Sequence, residues 1–297
     1  MPQTEWTAMN TPPAPTIHPA DSLLDAVDRV GSPVCVGIDP VLERLPDACL
    51  VEGEPLPAIE RFCRGVIEAV APHVGVCKYQ SACFERYGAA GVALLENLVV
   101  HARETGLEVI LDAKRGDIGV SARHYAAAVP DAARWVTVNA YLGTDGIEPF
   151  LERGGAFALA RTSNPGGDAL QRLRLEDGRS IAEAVADLLA ETGDKHLGDS
   201  GYSALGAVVG ATKRADAELL RARMPRQIFL VPGYGAQGGG VEDVLPCFNA
   251  DGRGALITAS RSVIYAFDGD ASGVWTDAVA RAAEALAGEL AGGLGRD

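Results

Sequence analysis

The segment Asp112-Ala113-Lys114-Arg115-Gly116-Asp117 places two carboxylates and an ammonium directly behind the apolar run Val109-Ile110-Leu111. The run is aliphatic and β-branched, so it reads as a buried strand, and the charges arrive at its C-terminal end. Asp112 and Lys114 are two apart and share one face of the strand, whereas Asp117 falls where the chain has begun to turn. Buried without partners, such charges would be very costly. Gathered at one mouth, they can hold one another ionised and present a proton donor in a fixed field. Two other strand ends carry charge: Asp39 follows Val34-Cys35-Val36-Gly37-Ile38, and Lys78 follows Val74-Gly75-Val76-Cys77. Three charged strand termini in succession suggest one shared site.

A second group of residues has the chemistry of an anion grip. Pro232-Gly233-Tyr234-Gly235-Ala236-Gln237-Gly238-Gly239-Gly240 follows one apolar strand, and Ser260-Arg261-Ser262 follows the next. Glycines let backbone N–H groups approach an anion closely, Arg261 offers a planar fork for phosphate oxygens, and Gln237 can donate from its amide.

Positioning these groups requires a regular scaffold, and the periodicity supplies one. Strands are expected at 34–38, 74–78, 108–113, 135–138, 156–160, 207–209, 228–231 and 255–258. Helical patterns are expected near 20–30, 57–71, 88–105, 118–129, 148–153, 180–192, 213–223 and 275–291. Eight strands separated mostly by helices imply a (β/α)8 TIM barrel of one domain, whose active face is the C-terminal ends of the strands. A doubly wound open sheet is the alternative, disfavoured by the even strand count and the lack of an early GxGxxG. Residues 1–19 read as a loose N-terminal leader and 20–297 as the barrel, with 165–205 an elaborated connection after strand five.

Composition narrows the partners. The net charge of −14 argues against a nucleic-acid backbone, but it leaves room for a small phosphorylated ligand in a local positive pocket. No apolar run is long enough to span a bilayer. The six cysteines show no CxxC pair and no zinc spacing, which favours free thiols and the cytoplasm. His73, His101, His124 and His196 show no metal-ligating spacing, and no metal site is expected.

Taken together, the motifs resemble those of the orotidine 5′-phosphate decarboxylase family, in particular its longer bacterial branch. The resemblance runs from Val34 to about Ala266. It rests on Gly37-Ile38-Asp39-Pro40, Cys77-Lys78-Tyr79-Gln80, Asp112 to Gly119, Thr162-Ser163-Asn164-Pro165-Gly166, Val231 to Gln237, and Arg261-Ser262. It implies decarboxylation of orotidine 5′-phosphate to UMP without cofactor or metal, by a homodimer with two composite active sites. It implies further that Asp39 binds the ribose hydroxyls and that Lys78 and Asp112 belong to the charge array. Lys114 is then the proton donor, and Asp117 and Ser121 (where the family often has Thr) reach into the neighbouring subunit's site. Ser163 would contact the pyrimidine, and Gln237 and Arg261 would hold the phosphate.

The residues suit that chemistry. Loss of CO2 from C6 leaves a carbanion in the ring plane, poorly delocalised into the carbonyls, so fixed electrostatics and remote binding energy must do the stabilising. Two rivals stand beside this reading. One is a metal-dependent keto-sugar-phosphate decarboxylase or aldol synthase on the same scaffold, which would need a carboxylate where this chain has Lys78. The other is a non-catalytic nucleotide-binding barrel, which would need a phosphate grip but no alternating Lys/Asp array.

Overall fold

The computed structural model describes residues 17–211, 214–235, 240–268 and 273–295. Its core is a closed barrel of eight parallel strands in sequence order, β1 pairing with β8 to shut the ring. The chain runs α1 (Pro19–Val30), β1 (Val34–Ile38), α2 (Pro55–Val70), β2 (Val76–Gln80), α3 (Ala82–Glu85), α4 (Gly88–Glu104), β3 (Glu108–Arg115) and α5 (Gly119–Ala127). It continues through β4 (Trp135–Val138), α6 (Glu148–Leu151), β5 (Gly155–Arg161), α7 (Asp168–Gln171), α8 (Ile181–Gly193) and β6 (Leu205–Val209). The last part comprises α9 (Arg214–Arg223), β7 (Phe229–Pro232), α10 (Val241–Val244), β8 (Ala255–Ala259), α11 (Arg261–Ile264) and α12 (Trp275–Gly293). The expected barrel and all eight strands are present.

Strand alternation sorts the core into two clusters. Val34, Val36, Ile38, Cys77, Tyr79, Val109, Leu111, Val136 and Val138 point outward and pack beneath the helices. Cys35, Val76, Ile110, Trp135, Phe157, Val208, Leu230 and Leu256 form the other cluster, inside the barrel. α1 closes that interior from below. His18 Nδ1 accepts the Ala20 amide at the helix start, Pro19 occupies the first turn, and Gly31 ends the helix with φ +68°. Ala20, Leu23, Leu24 and Val27 then join the inner cluster. The helix therefore opens one residue before the expected leader boundary. The rest of the segment expected to be a leader, residues 1–16, lies outside the described residues.

Two strands differ from expectation. β2 begins at Val76 rather than Val74, because Gly75 lies so close to α1 that a Cβ there would stand 2.1 Å from the Ala26 carbonyl oxygen. It also continues past Lys78 to Gln80, since a charge paired across the sheet does not end a strand. β3 extends to Arg115 through an irregularity: from Leu111 to Arg115 it spends four residues against the two from Val136 to Val138 of β4. The connection after β5 is ordered. It contains α7, an antiparallel bridge from Arg174 to Ser180, and α8 with a Ser180–Glu183 capping box.

Because the floor is apolar and remote from the strand C-termini, stability and activity should separate there. Leu23→Ala should cost about 2–5 kcal/mol in chemical denaturation and leave the kinetics of the folded protein unchanged. A matching loss of kcat would show that the floor also shapes the mouth.

Candidate active site

Stepping two residues along each strand from the inner apolar layer leads to a polar layer at the C-terminal mouth. Val76 leads to Lys78 and Gln80, Ile110 to Asp112, Trp135 to Thr137, and Leu256 to Thr258 and Ser260. Gly37 lies between Cys35 and Asp39, and it keeps the wall thin where a Cβ would stand 3.0 Å from the Ser260 side chain. The parallel register sets Lys78 beside Gly37 and Ile110, and Gln80 beside Asp112.

Four charges form an alternating row across β1, β2 and β3. Lys78 Nζ lies 3.8 Å from Asp39 Oδ1 and 3.0 Å from Asp112 Oδ2, and Lys114 Nζ lies 2.7 Å from Asp112 Oδ1. Lys78 is only 6% exposed. Burial alone would discharge it, but Asp39 and Asp112 outweigh that effect and raise its pKa above the ordinary lysine value. Burial likewise works against the Asp112 carboxylate, yet Lys78 and Lys114 overcome it and hold its pKa at about 2. Ser260 Oγ lies 2.6 Å from Asp39 Oδ2, and Gln80 Nε2 approaches Asp112 Oδ2 at 3.4 Å. The Lys114 side chain is 48% exposed, against 8% for Lys78. One ammonium of the row thus faces the open mouth while the other is sealed behind it. Such an arrangement can stabilise developing negative charge on a bound ligand and then deliver a proton to it.

Lys114 carries a second mark. At φ +46° it is the one described non-glycine residue in the left-handed region, where an L side chain costs on the order of 1–3 kcal/mol. Its amide leaves the β-ladder and donates instead to Thr137 Oγ1 at 2.9 Å.

The other expected residues fall at the rim. Asp117 does not join the row, since its Oδ1 accepts the Ile118 amide at 2.8 Å. Ser121 is exposed on α5. Ser163 follows β5 and rests on Gly210 at the end of β6, where a Cβ would stand 2.8 Å from the Ser163 Cα. Arg261 is exposed at the start of α11 and has no ion pair among the described residues, so its fork is available. Gln237 lies outside the described residues.

The motifs did not single out Thr137, Gln80 or Ser260 as functional. Counting in twos from the inner apolar residues would have found all three, but parallel strands buried on both faces hide which face is inner. Arg161 was also missed. It is 1% exposed and pairs with Asp216 at 2.6 Å and Asp168 at 2.7 Å. Gln171 beside it accepts the Thr162 amide at 3.0 Å and so braces the residue before Ser163.

The chain is similar to known proteins of one family. A model of the "Orotidine 5'-phosphate decarboxylase / HUMPS family" matches residues 32–273. A curated orotidine 5′-phosphate decarboxylase of Rhodopirellula baltica is 41% identical, over 92% of this chain and 99% of its own. One of Deinococcus radiodurans is also 41% identical, over 88% and 93%. The solved structure of Leishmania donovani OMP decarboxylase superposes with a TM-score of 0.77 at 31% identity, covering 94% of this chain and 99% of that one.

The electrostatics of the row predict a pH signature. The folded-state pKa of Asp112 lies below the ordinary carboxylate value of 3.8. Its contribution to stability is therefore complete above that value and lost as the pH falls toward about 2. Asp112→Asn leaves Lys78 with only the more distant Asp39, so the variant should be less stable at neutral pH by roughly 3–5 kcal/mol. Measured by denaturation from pH 7 downward, the gap between wild type and variant should hold to about pH 4 and narrow below it. A gap that stays constant across that window would mean that Asp112 is not held ionised by the row.

Proposed function

The chain belongs to the orotidine 5′-phosphate decarboxylase / HUMPS family, and on that premise we propose that it decarboxylates orotidine 5′-phosphate to UMP, the last step of pyrimidine nucleotide synthesis. The observation that carries this reading is the row Asp39–Lys78–Asp112–Lys114 with one exposed ammonium at its end. Departure of CO2 leaves an in-plane carbanion at C6. The Lys114 ammonium would stabilise that charge and donate the proton, and Asp112, itself held by Lys78, would fix its position. The Asp39 side chain is 32% exposed at the mouth, an acceptor suited to a ribose hydroxyl. The fork of Arg261, with Gln237, would hold the phosphate, and Ser163 would meet the pyrimidine.

The metal-dependent alternative fits less well. Metal ligation by Asp39 and Asp112 would have to displace Lys78, a fixed positive charge between them. A non-catalytic nucleotide binder would have no use for a buried, alternating charge row or for strain at Lys114. Exhaustive treatment with EDTA should leave turnover of orotidine 5′-phosphate unchanged, read as loss of its ultraviolet absorbance. Activity abolished by EDTA and restored by Mg²⁺ would transfer the chain to the metal-dependent branch.

The same reading makes the protein a homodimer with shared sites. Asp117 Oδ1 accepts the amide of the next residue, Ile118, and pairs with no member of the row. Around it Ile118, Val120 and Tyr125 are 54%, 60% and 43% exposed, an apolar surface suited to a second copy. Asp117 and Ser121 would then complete the partner's site. The six free cysteines and the absence of a membrane-crossing helix among the described residues fit a cytoplasmic enzyme.

Inactive Lys114→Ala and Asp117→Ala proteins should accordingly complement each other after subunit exchange. Half of randomly formed dimers are mixed, and each has one intact site of two, so activity should recover to about one quarter of wild type. No recovery, with exchange verified by a mass label, would rule out composite sites.

A further inference from the structure

Thr137 makes two contacts that meet at the reactive lysine. Its hydroxyl accepts the Lys114 amide at 2.9 Å and lies 2.8 Å from Asp112 Oδ1. The carboxylate can only accept, so the hydroxyl proton points to Asp112. Asp112 Oδ1 in turn receives the Lys114 ammonium at 2.7 Å. A closed circuit results: Lys114 amide to Thr137 hydroxyl, hydroxyl to Asp112 carboxylate, carboxylate back to the ammonium of the same lysine. The circuit lies where β3 bulges against β4, at the one described non-glycine residue with φ in the left-handed region. Thr137 is 1% exposed, so water cannot readily replace it.

We infer that Thr137 is a positioning residue for the decarboxylation, one that holds Lys114 in its strained conformation and aims its ammonium through Asp112. The bulge removes the Lys114 amide from the ladder, and a buried amide must find another acceptor. The Thr137 hydroxyl is that acceptor, and its remaining proton fixes the rotamer of Asp112. Without the hydroxyl, both the amide and Oδ1 lose a partner at once, and the strain at the bulge is offset only by the charge pair at the far end of the Lys114 side chain. The ammonium then drifts from the place where C6 is protonated, while the ribose and phosphate contacts, which lie on other strands, are untouched. The loss therefore falls on kcat rather than on KM.

The inference rests on Lys114 as proton donor, and the test separates the two. Thr137→Ser removes the methyl and keeps the hydroxyl, whereas Thr137→Ala removes both, so the two variants differ by one oxygen and the space it fills. Thr137→Val keeps the shape and removes the hydroxyl. With orotidine 5′-phosphate as substrate, Thr137→Ser should keep kcat within about threefold of wild type. Thr137→Ala and Thr137→Val should lose about 10- to 100-fold in kcat with KM changed less than about threefold. Thr137→Ala should also melt below Thr137→Ser, so kcat is read well below both thermal midpoints, where each variant is fully folded and the kinetic gap is not one of folding. Equal kcat in Thr137→Ala and Thr137→Ser, with wild type active, would overturn the role of Thr137 and leave the proposed function standing. An inert wild-type protein would overturn the function and this inference with it.

Discussion

Lys78 is withdrawn from water inside the barrel above a layer of apolar side chains, and an ammonium so placed costs several kcal/mol unless anions surround it. Its two anions come from different strands, Asp39 from the end of β1 and Asp112 from β3. The pairing is therefore possible only when β1, β2 and β3 are paired in register. The constraint also acts in reverse, because Asp112 is as buried as Lys78 and needs a second cation for its other oxygen. That cation is Lys114. Lys78 and Asp112 are each held charged by their neighbours, and the row ends at Lys114, its most exposed member.

The sheet meets this demand by grading its interior. Below the row the strands offer Cys, Val, Ile, Trp, Phe or Leu, with Gly37 intervening on β1, and α1 seals the bottom with Ala20, Leu23, Leu24 and Val27. Water is thus excluded from beneath the charges, which strengthens the field among them. The outer faces of the same strands are continuously apolar under the helices. Rigidity comes from both sides, so the row can be preorganised rather than assembled by a ligand.

Much of this was legible in the chain. The run Val109-Ile110-Leu111 announced a strand, and Asp112, Lys114, Asp39 and Lys78 were read from their places behind apolar runs. The register was not legible, because parallel strands apolar on both faces carry no alternation to read. For that reason Thr137, Gln80 and Ser260 passed as ordinary polar residues, although each stands two positions beyond an inner apolar side chain or an inner polar one. The β3 bulge was equally hidden, since its cause is a contact with β4 twenty-three residues away. Arg161 shows the same limit. Its burial is intelligible only once Asp168 from the connection and Asp216 from α9 are seen to converge on it.

Strain at Lys114 and satisfaction of the row are two sides of one arrangement. A regular β3 would place Lys114 in line with Asp112, with its amide in the ladder and its side chain set by the pleat. The bulge breaks that line and frees the amide, and the left-handed conformation is the local cost. What offsets it is charge pairing at the far end of the same side chain, which a relaxed backbone would weaken. The enzyme reading makes sense of the compromise, since a proton donor must be held firmly yet remain open to the ligand. Lys78 satisfies only the first of those requirements, Arg261 only the second, and Lys114 both.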